Sequence, residues 1–494
     1  MEAITNKRLP FEVFAGIFSV PISKHLLLWT LFLSTVAVIY LLPREFDYFF
    51  IIAVFFFFAV TKEDYIWLAY LVLLYDAPFG FFAEGAAEAA HRLPIFSFGS
   101  GLSFSTIEVF LFIGLIKALL KNNQVVSYFS SHYKILLIYL ILLVGVALIV
   151  HEVSMSVFLD GLKNAFTLSF IFILYKLIDK REDQFKFIYL LLPFGFLILL
   201  DAIYFLVSGG DYIYNFFNPY ETREVGGLGI EASNVLNIRF IVQGFILSYL
   251  IFIFSLSYSF IGRRTTYYLL AAVAAFIVIL AGALRSWFVI YSIGLVFFIF
   301  YSSQKIRHSL VLASLVLLLF IPIFFTSTGS SAFSGAFQRV GTVFSLGKES
   351  SPATQRLENK ASVRLPEQLQ YIKENPVTGW AFTERKGDGD VGNFGLLVEV
   401  GFVGFMIFLW FWISYINILR KHIMVLENKN ARNALRMLIV LFLGILLSHF
   451  TTNSMFGLNA GIFLGTLVFI TEFIIQEAKL YDQDGTDAAT SETH

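Results

Sequence analysis

Residues 393–418 read NFGLLVEVGFVGFMIFLWFWISYINI, an apolar run with a single charged side chain, Glu399. A helix of this length crosses a hydrocarbon core of about 30 Å at about 1.5 Å per residue. Lipid offers no water to pair backbone N–H and C=O groups, so such a run must be helical. A membrane β-barrel would alternate over short segments instead. The rest of the chain repeats this pattern. Of its 494 residues, 58% are hydrophobic, 18% aromatic and only 14% charged, with a mean hydropathy of +0.77. A water-soluble domain carries about a quarter charged residues. The expected fold is an all-α polytopic membrane protein.

Comparable runs fall at 25–42, 46–61, 65–77, 106–120, 134–150, 157–178, 187–208, 236–257, 266–283, 287–302, 309–326, 393–418, 435–451 and 456–476. They predict about 14 transmembrane helices, the third of them short. Residues 1–24 form an N-terminal segment in which 11–20 is too short to span and is expected at the interface. No small-residue cleavage site follows it, so no removed leader is expected. A bundle at 25–326 carries outer loops 78–105 and 209–235. A large polar loop follows at 327–391, then C-terminal spans at 392–476. The acidic tail 477–494 is expected to be disordered.

Alternation of these spans places the N-terminus, 62–64, 121–134, 179–186, 258–265, 303–308, 419–434 and the tail on one side. That side holds 21 of the 35 Lys and Arg residues on or beside its short connections. Eight of the other 14 lie in the long 327–391 loop, where the positive-inside bias does not apply. The termini are therefore expected in the cytoplasm, and the large loop outside. The absence of cysteine suits an oxidising compartment. Nothing in the charge pattern predicts nucleic acid as a partner.

The large loop has internal order. Phe333, Phe337, Val340 and Phe344 recur at helical spacing, with Arg339 off the stripe. Ser362 is placed to cap a second helix with Leu365, Leu369 and Ile372 on one face, and Pro366 fits its first turn. ENPVTGW then breaks the chain before a glycine-rich stretch. A connector this long in a compact protein usually serves function.

Arginines at the expected outer face carry the chemical reading. Arg239 stands at the start of the eighth run, and Arg285 at a tight turn before the tenth. Both sit near helix N-termini, where the macrodipole disfavours a cation by a few tenths of a kcal/mol. An anion explains them, because guanidinium and N-terminal amides together bind phosphate. Arg223, Arg339 and Arg364 are placed to join from the loops. Snorkelling to lipid headgroups is the other reading of Arg239. Arg285 has almost no loop to escape into, which favours the anion.

Among the acids, Asp201 lies about two turns inside the seventh run, where a carboxylate is functional or paired. Asp76 ends the third run, Glu231 precedes Arg239, Asp390 and Glu399 flank the entry to the twelfth, and His449 stands near the end of the thirteenth. No HExxH, Walker loop, GxGxxG, Cys/His cluster or serine elbow is present, so metal, nucleotide and acyl-serine chemistry have no sequence support.

GALRS at 282–286, RLPEQLQYIKENPVTGW at 364–380 and GDVGNFGLLVEVGFVGF at 389–405, taken in order, resemble the O-antigen polymerase/O-antigen ligase superfamily. These are bacterial inner-membrane glycosyltransferases of the GT-C kind, and the likeness covers about 223–418. It implies ten to fourteen helices with a periplasmic loop over a cavity. It also implies an undecaprenyl-diphosphate-linked glycan as donor, inverting transfer without a metal or other cofactor, and arginines on the leaving diphosphate. Membrane lipids and a chain-length regulator protein are its further expected partners. By position, Arg285 matches the arginine of an SxSRS-like motif, although Ala283 departs from it. Arg364 matches the loop arginine before an NP-x-x-G turn, here Asn375, Pro376 and Gly379. Asp390 and Gly392 match a D-x-G, and Glu399 and Gly401 an E/Y-x-G. Ligases often show a His-Asn pair where this chain has Asp390 and Val391, so the resemblance implies a polymerase first and a ligase second. Asp390, Glu231 and His449 are the candidate bases, in that order. A lipid-linked oligosaccharide flippase is the alternative from another class. Such transporters usually show related halves and midplane sites, and no internal repeat is seen here.

Overall fold

The computed structural model describes residues 20–75, 93–98, 102–123, 127–150, 154–208, 245–262, 264–281, 285–302, 304–324, 360–380, 392–448 and 461–491. The chain begins with α1 (Ile22–Leu41), α2 (Arg44–Val60) and α3 (Asp64–Tyr75). A hairpin of β1 (Ile95–Phe98) and β2 (Leu102–Ser105) follows, then α4 (Thr106–Leu120), α5 (Ser130–Val150), α6 (Met155–Phe166) and α7 (Phe170–Leu177). Next come α8 (Arg181–Ser208), α9 (Phe245–Tyr258), α10 (Thr265–Ala281), α11 (Arg285–Tyr301) and α12 (Lys305–Phe324). The short α13 (Leu365–Glu374) precedes α14 (Asn393–Val425), α15 (Lys429–Ser448) and α16 (Gly461–Ser491).

Five of the described helices are long and apolar enough to cross a membrane. They are α1, α8, α14, α15 and α16, and shorter apolar helices accompany them. The protein is thus helical and membrane-embedded. Helix α16 is the hub, with 89% of its apolar window buried against its neighbours. The short α3 is no weaker for its length. Tyr65 through Leu74 are all buried, so it contributes to the interior rather than facing lipid.

Three local expectations need correction. The segment 78–105 contains a β-hairpin, with Ile95 opposite Ser105 and Phe98 opposite Leu102. IFSF and LSFS alternate with period two, which is strand patterning. Ser105 ends the hairpin and starts α4 through a capping box. Its Oγ accepts from the Glu108 N–H, and Glu108 Oε2 accepts from the Ser105 N–H at 2.7 Å. The run at 157–178 is split, because Thr167–Ser169 form a 3₁₀ turn between α6 and α7. The tail from 477 continues α16 as helix through Ser491.

Among the described residues, several of the connections that charge counting grouped together meet through polar contacts. Lys24 pairs with Glu63. Lys117 Nζ donates to the carbonyls of Phe58 and Thr61 at the end of α2, and to Asp64 Oδ1 at 2.5 Å. Helices α4 and α7 cap each other's C-termini. Lys121 donates to Leu177 O at 3.0 Å and Asn123 to Lys176 O at 2.8 Å, while Lys176 donates back to the carbonyls of Lys121 and Asn123. The Lys176 and Leu177 carbonyls are among those that a helix end leaves without internal partners. Burial opposes ionisation of Asp179, but its contacts with Lys121 and Asn123 hold the carboxyl below its ordinary value. Glu477 joins Arg181 and Tyr258, Asp482 accepts from the N–H groups of Glu427 and Asn428, and Lys479 donates to Tyr128. Glu472, only 1% exposed, accepts from Ser127 Oγ at 2.6 Å and from the Phe129 N–H at 3.1 Å, fixing the foot of α5.

The Lys117–Asp64 pair is nearly enclosed, at 16% and 11% side-chain exposure. Removing one partner of a buried pair strands the other charge. Lys117→Met should therefore lower stability by about 3 kcal/mol in a detergent unfolding assay. Adding Asp64→Asn should restore most of the loss, and an unchanged melting curve for the single variant would refute the pairing.

Candidate functional site: a loop turn docked in a broken helix

Helix α14 is not continuous. Gly401 adopts φ 64°, ψ −177° in its upper third, a conformation that residues with a Cβ rarely tolerate. In an unbroken helix the Phe402 N–H would donate to Val398 O. Here both groups turn outward to the end of the large loop. Val398 O accepts from the Trp380 N–H at 2.8 Å, and the Phe402 N–H donates to Pro376 O at 2.8 Å. The Val403 N–H donates to Val377 O at 3.3 Å, and the Gly379 N–H closes the turn on Asn375 O at 3.1 Å. The NPVTGW turn is thus spliced into the break.

Two glycines make this contact possible. Gly379 has φ 65°, and a Cβ there would lie 2.5 Å from the Gly401 nitrogen. A Cβ at 401 would overlap the Val377 carbonyl. The splice is backbone against backbone, with no room for a side chain. Trp380 adds a pin, since its Nε1–H donates to Tyr371 O at 3.2 Å.

The break faces α5. Tyr139, near the middle of that helix, donates its hydroxyl to Val400 O at 2.8 Å. The break therefore lies level with the middle of α5, and the loop turn reaches down to that depth. At the same level Phe402, Val403, Met406, Ile407 and Trp410 form an open apolar groove with Ile135 of α5, about 620 Å³ in volume.

Above the turn, α13 leans on α14. Helical winding starts at Lys360 as a π turn that ends at Arg364, so Ser362 lies inside it rather than capping α13. The buried face also differs from the expected one. Gln368 and Ile372 are buried at 2% and 8%, whereas Leu369 is 40% exposed. The face follows 365, 368 and 372, a helical spacing that accommodates a polar residue.

Arg364 sits at the head of α13 and is exposed. Arg285 is the first residue of α11, as a residue near a helix N-terminus should be, and its side chain lies outside the description. Asp201 is buried at 1% within α8. Glu399 is buried at 4%, two residues before the break. Arg223, Glu231, Arg239, Arg339, Asp390 and His449 lie outside the described residues, as do Asp76 and the Phe333–Phe344 stripe. Among the described residues no three His, Asp or Glu side chains gather as metal ligands.

Sequence reasoning matched NP-x-x-G and E-x-G to two separate motifs but did not join them. The glycines were the available signal. Nothing in the sequence marked Tyr139. Neither the protein-family models nor the curated proteins give a match to this chain.

The geometry gives a direct test. Gly401→Ala combines a left-handed backbone with a backbone overlap and should weaken docking by about 2 kcal/mol or more. Limited proteolysis between 360 and 380 should accelerate accordingly. Gly145→Ala in α5, where a Cβ would meet nothing within 4 Å, should leave the digestion unchanged. Equal digestion of the Gly401→Ala and parent proteins would contradict the splice.

Proposed function

We propose that the protein polymerises undecaprenyl-diphosphate-linked oligosaccharide repeat units at the outer face of a bacterial inner membrane. In this reading about fourteen helices cross the bilayer, both termini and the basic connections are cytoplasmic, and the loop 327–391 is periplasmic. The observation that carries the proposal is the splice. NPVTG and EVG, two of the segments that resemble the polymerase/ligase superfamily, form one backbone-paired unit that holds α13 and Arg364 against the bundle. The polar contacts among several of the basic connections support the assigned sidedness.

The chemistry runs as an inverting displacement. An acceptor sugar hydroxyl attacks C1 of the donor sugar, a carboxylate or imidazole takes its proton, and the C1–O bond to the diphosphate breaks. The polyprenyl diphosphate leaves with the bonding pair. Negative charge grows on it as the bond stretches, so fixed guanidinium groups lower the transition state more than the ground state. Arg285, Arg239, Arg364, Arg339 and Arg223 are assigned to this role, and Asp390, Glu231 or His449 to the base. Transfer to a lipid A core, the ligase reaction, uses the same donor and differs in acceptor.

Purified protein reconstituted with lipid-linked repeat units should yield longer lipid-linked chains. Transfer only to a lipid A core would make it a ligase, and relocation without new bonds a flippase. Arg285→Ala should lower chain extension by about 10²–10³-fold at normal expression. Arg285→Lys should restore little of it, because an ammonium lacks the planar fork. Unchanged chain length in Arg285→Ala would reject the diphosphate role.

A further inference from the structure

Helix α5 contributes nothing to the resemblance, yet it touches the break through a backbone carbonyl, that of Val400. Around a break at residue 401 the carbonyl of Val400 is among those freed from regular helical pairing. Tyr139 supplies a donor to it at 2.8 Å. The ring reaches that carbonyl only because residue 404 is glycine. A Cβ at 404 would lie 2.6 Å from Tyr139 Cε1 and 2.9 Å from its hydroxyl. The tyrosine therefore lies flat against the backbone of α14, one turn below the loop turn.

The base from which Tyr139 acts is itself fixed. The residues leading into α5 are held by Glu472 through Ser127 and Phe129. Tyr133 Oη donates to Gly461 O at 3.4 Å, and its ring lies 6.2 Å from that of Phe411. Phe129 and Tyr415 approach at 5.2 Å. Helix α5 is thereby tied to α16 and to the lower part of α14, and Tyr139 is its one described hydrogen bond to the break itself.

We infer that Tyr139 is a positioning residue for the large loop: by holding the Val400 carbonyl it keeps α14 broken at Gly401, and so keeps the NPVTGW turn and α13 docked. It touches no reacting atom. It acts through the backbone on the element that carries Arg364, and its importance for turnover rests on the reading of that loop given above. Its effect on docking does not.

The chain contains no cysteine, so a single introduced thiol reports without background. Ile372→Cys places it on the buried face of α13, at 8% exposure, and Val377→Cys on the open edge of the turn, at 59%. With a hydrophilic maleimide, the thiol of Val377→Cys should react fast and that of Ile372→Cys slowly in the otherwise native protein. Tyr139→Phe keeps the ring and removes only the hydroxyl. Combined with Ile372→Cys it should speed labelling about fivefold, the factor that one lost hydrogen bond supplies. Combined with Val377→Cys it should leave the rate unchanged. Gly404→Ala, which displaces the ring, should speed labelling of the buried thiol at least as much. Labelling of that thiol at the parent rate in Tyr139→Phe would overturn the inference. Chain extension measured on the same Tyr139→Phe protein separates the two claims. Faster labelling with extension reduced at saturating acceptor supports both. Faster labelling in a protein that never extends chains leaves Tyr139 as the docking residue and removes the polymerase reading.

Discussion

A polypeptide inside a bilayer cannot leave its amides unpaired, and this requirement governs the described structure. Each unsatisfied backbone group in hydrocarbon costs several kcal/mol. Breaking α14 at Gly401 releases such groups at the level of the middle of α5. The chain answers with the loop turn 375–380, which accepts from Phe402 and Val403 and donates to Val398, and with Tyr139, which donates to Val400. The break and the turn require each other. Without the turn the break strands donors and acceptors, and without the break the turn has nothing to pair with.

This mutual dependence explains why a polar loop belongs to so apolar a chain. The loop is not merely tethered at its ends. Residues 375–380 of it are hydrogen-bonded into a membrane helix, so α13 is held against α14. At the helix C-termini the same accounting takes another form. There lysine and asparagine side chains satisfy the carbonyls of helix C-termini, as at Lys117, Lys121 and Asn123. Side-chain caps serve the helix ends, and a backbone splice serves the break within α14.

The sequence made the helical class plain, because apolar runs and the lipid constraint leave little choice. It also placed on one side several basic connections that the described residues bring into polar contact. The hairpin was equally readable from IFSF and LSFS, but helical composition masked a period-two signal only four residues long. The interruption at Thr167–Ser169 was not readable, because two helices packed end to end have the hydropathy of one. Ser362 misled because capping propensity is local, while the π turn from Lys360 belongs to the tertiary setting. Gly379 and Gly401 stood out as punctuation within their segments, yet their partnership joins residues 22 positions apart through backbone atoms, and no residue-type pattern encodes that. Tyr139 was silent, for one tyrosine in an apolar helix looks like any other.

Hydrogen exchange at the amides of the splice measures the central contact itself. On this account Trp380, Phe402 and Val403 exchange slowly and together, although the first lies in a loop and the other two follow a helix break. Their protection should match that of the regular turns of α14 near Phe411. Exchange at the rate of a solvated loop for Trp380, or protection of Phe402 and Val403 that persists after the 360–380 segment is cleaved and washed away, would contradict it.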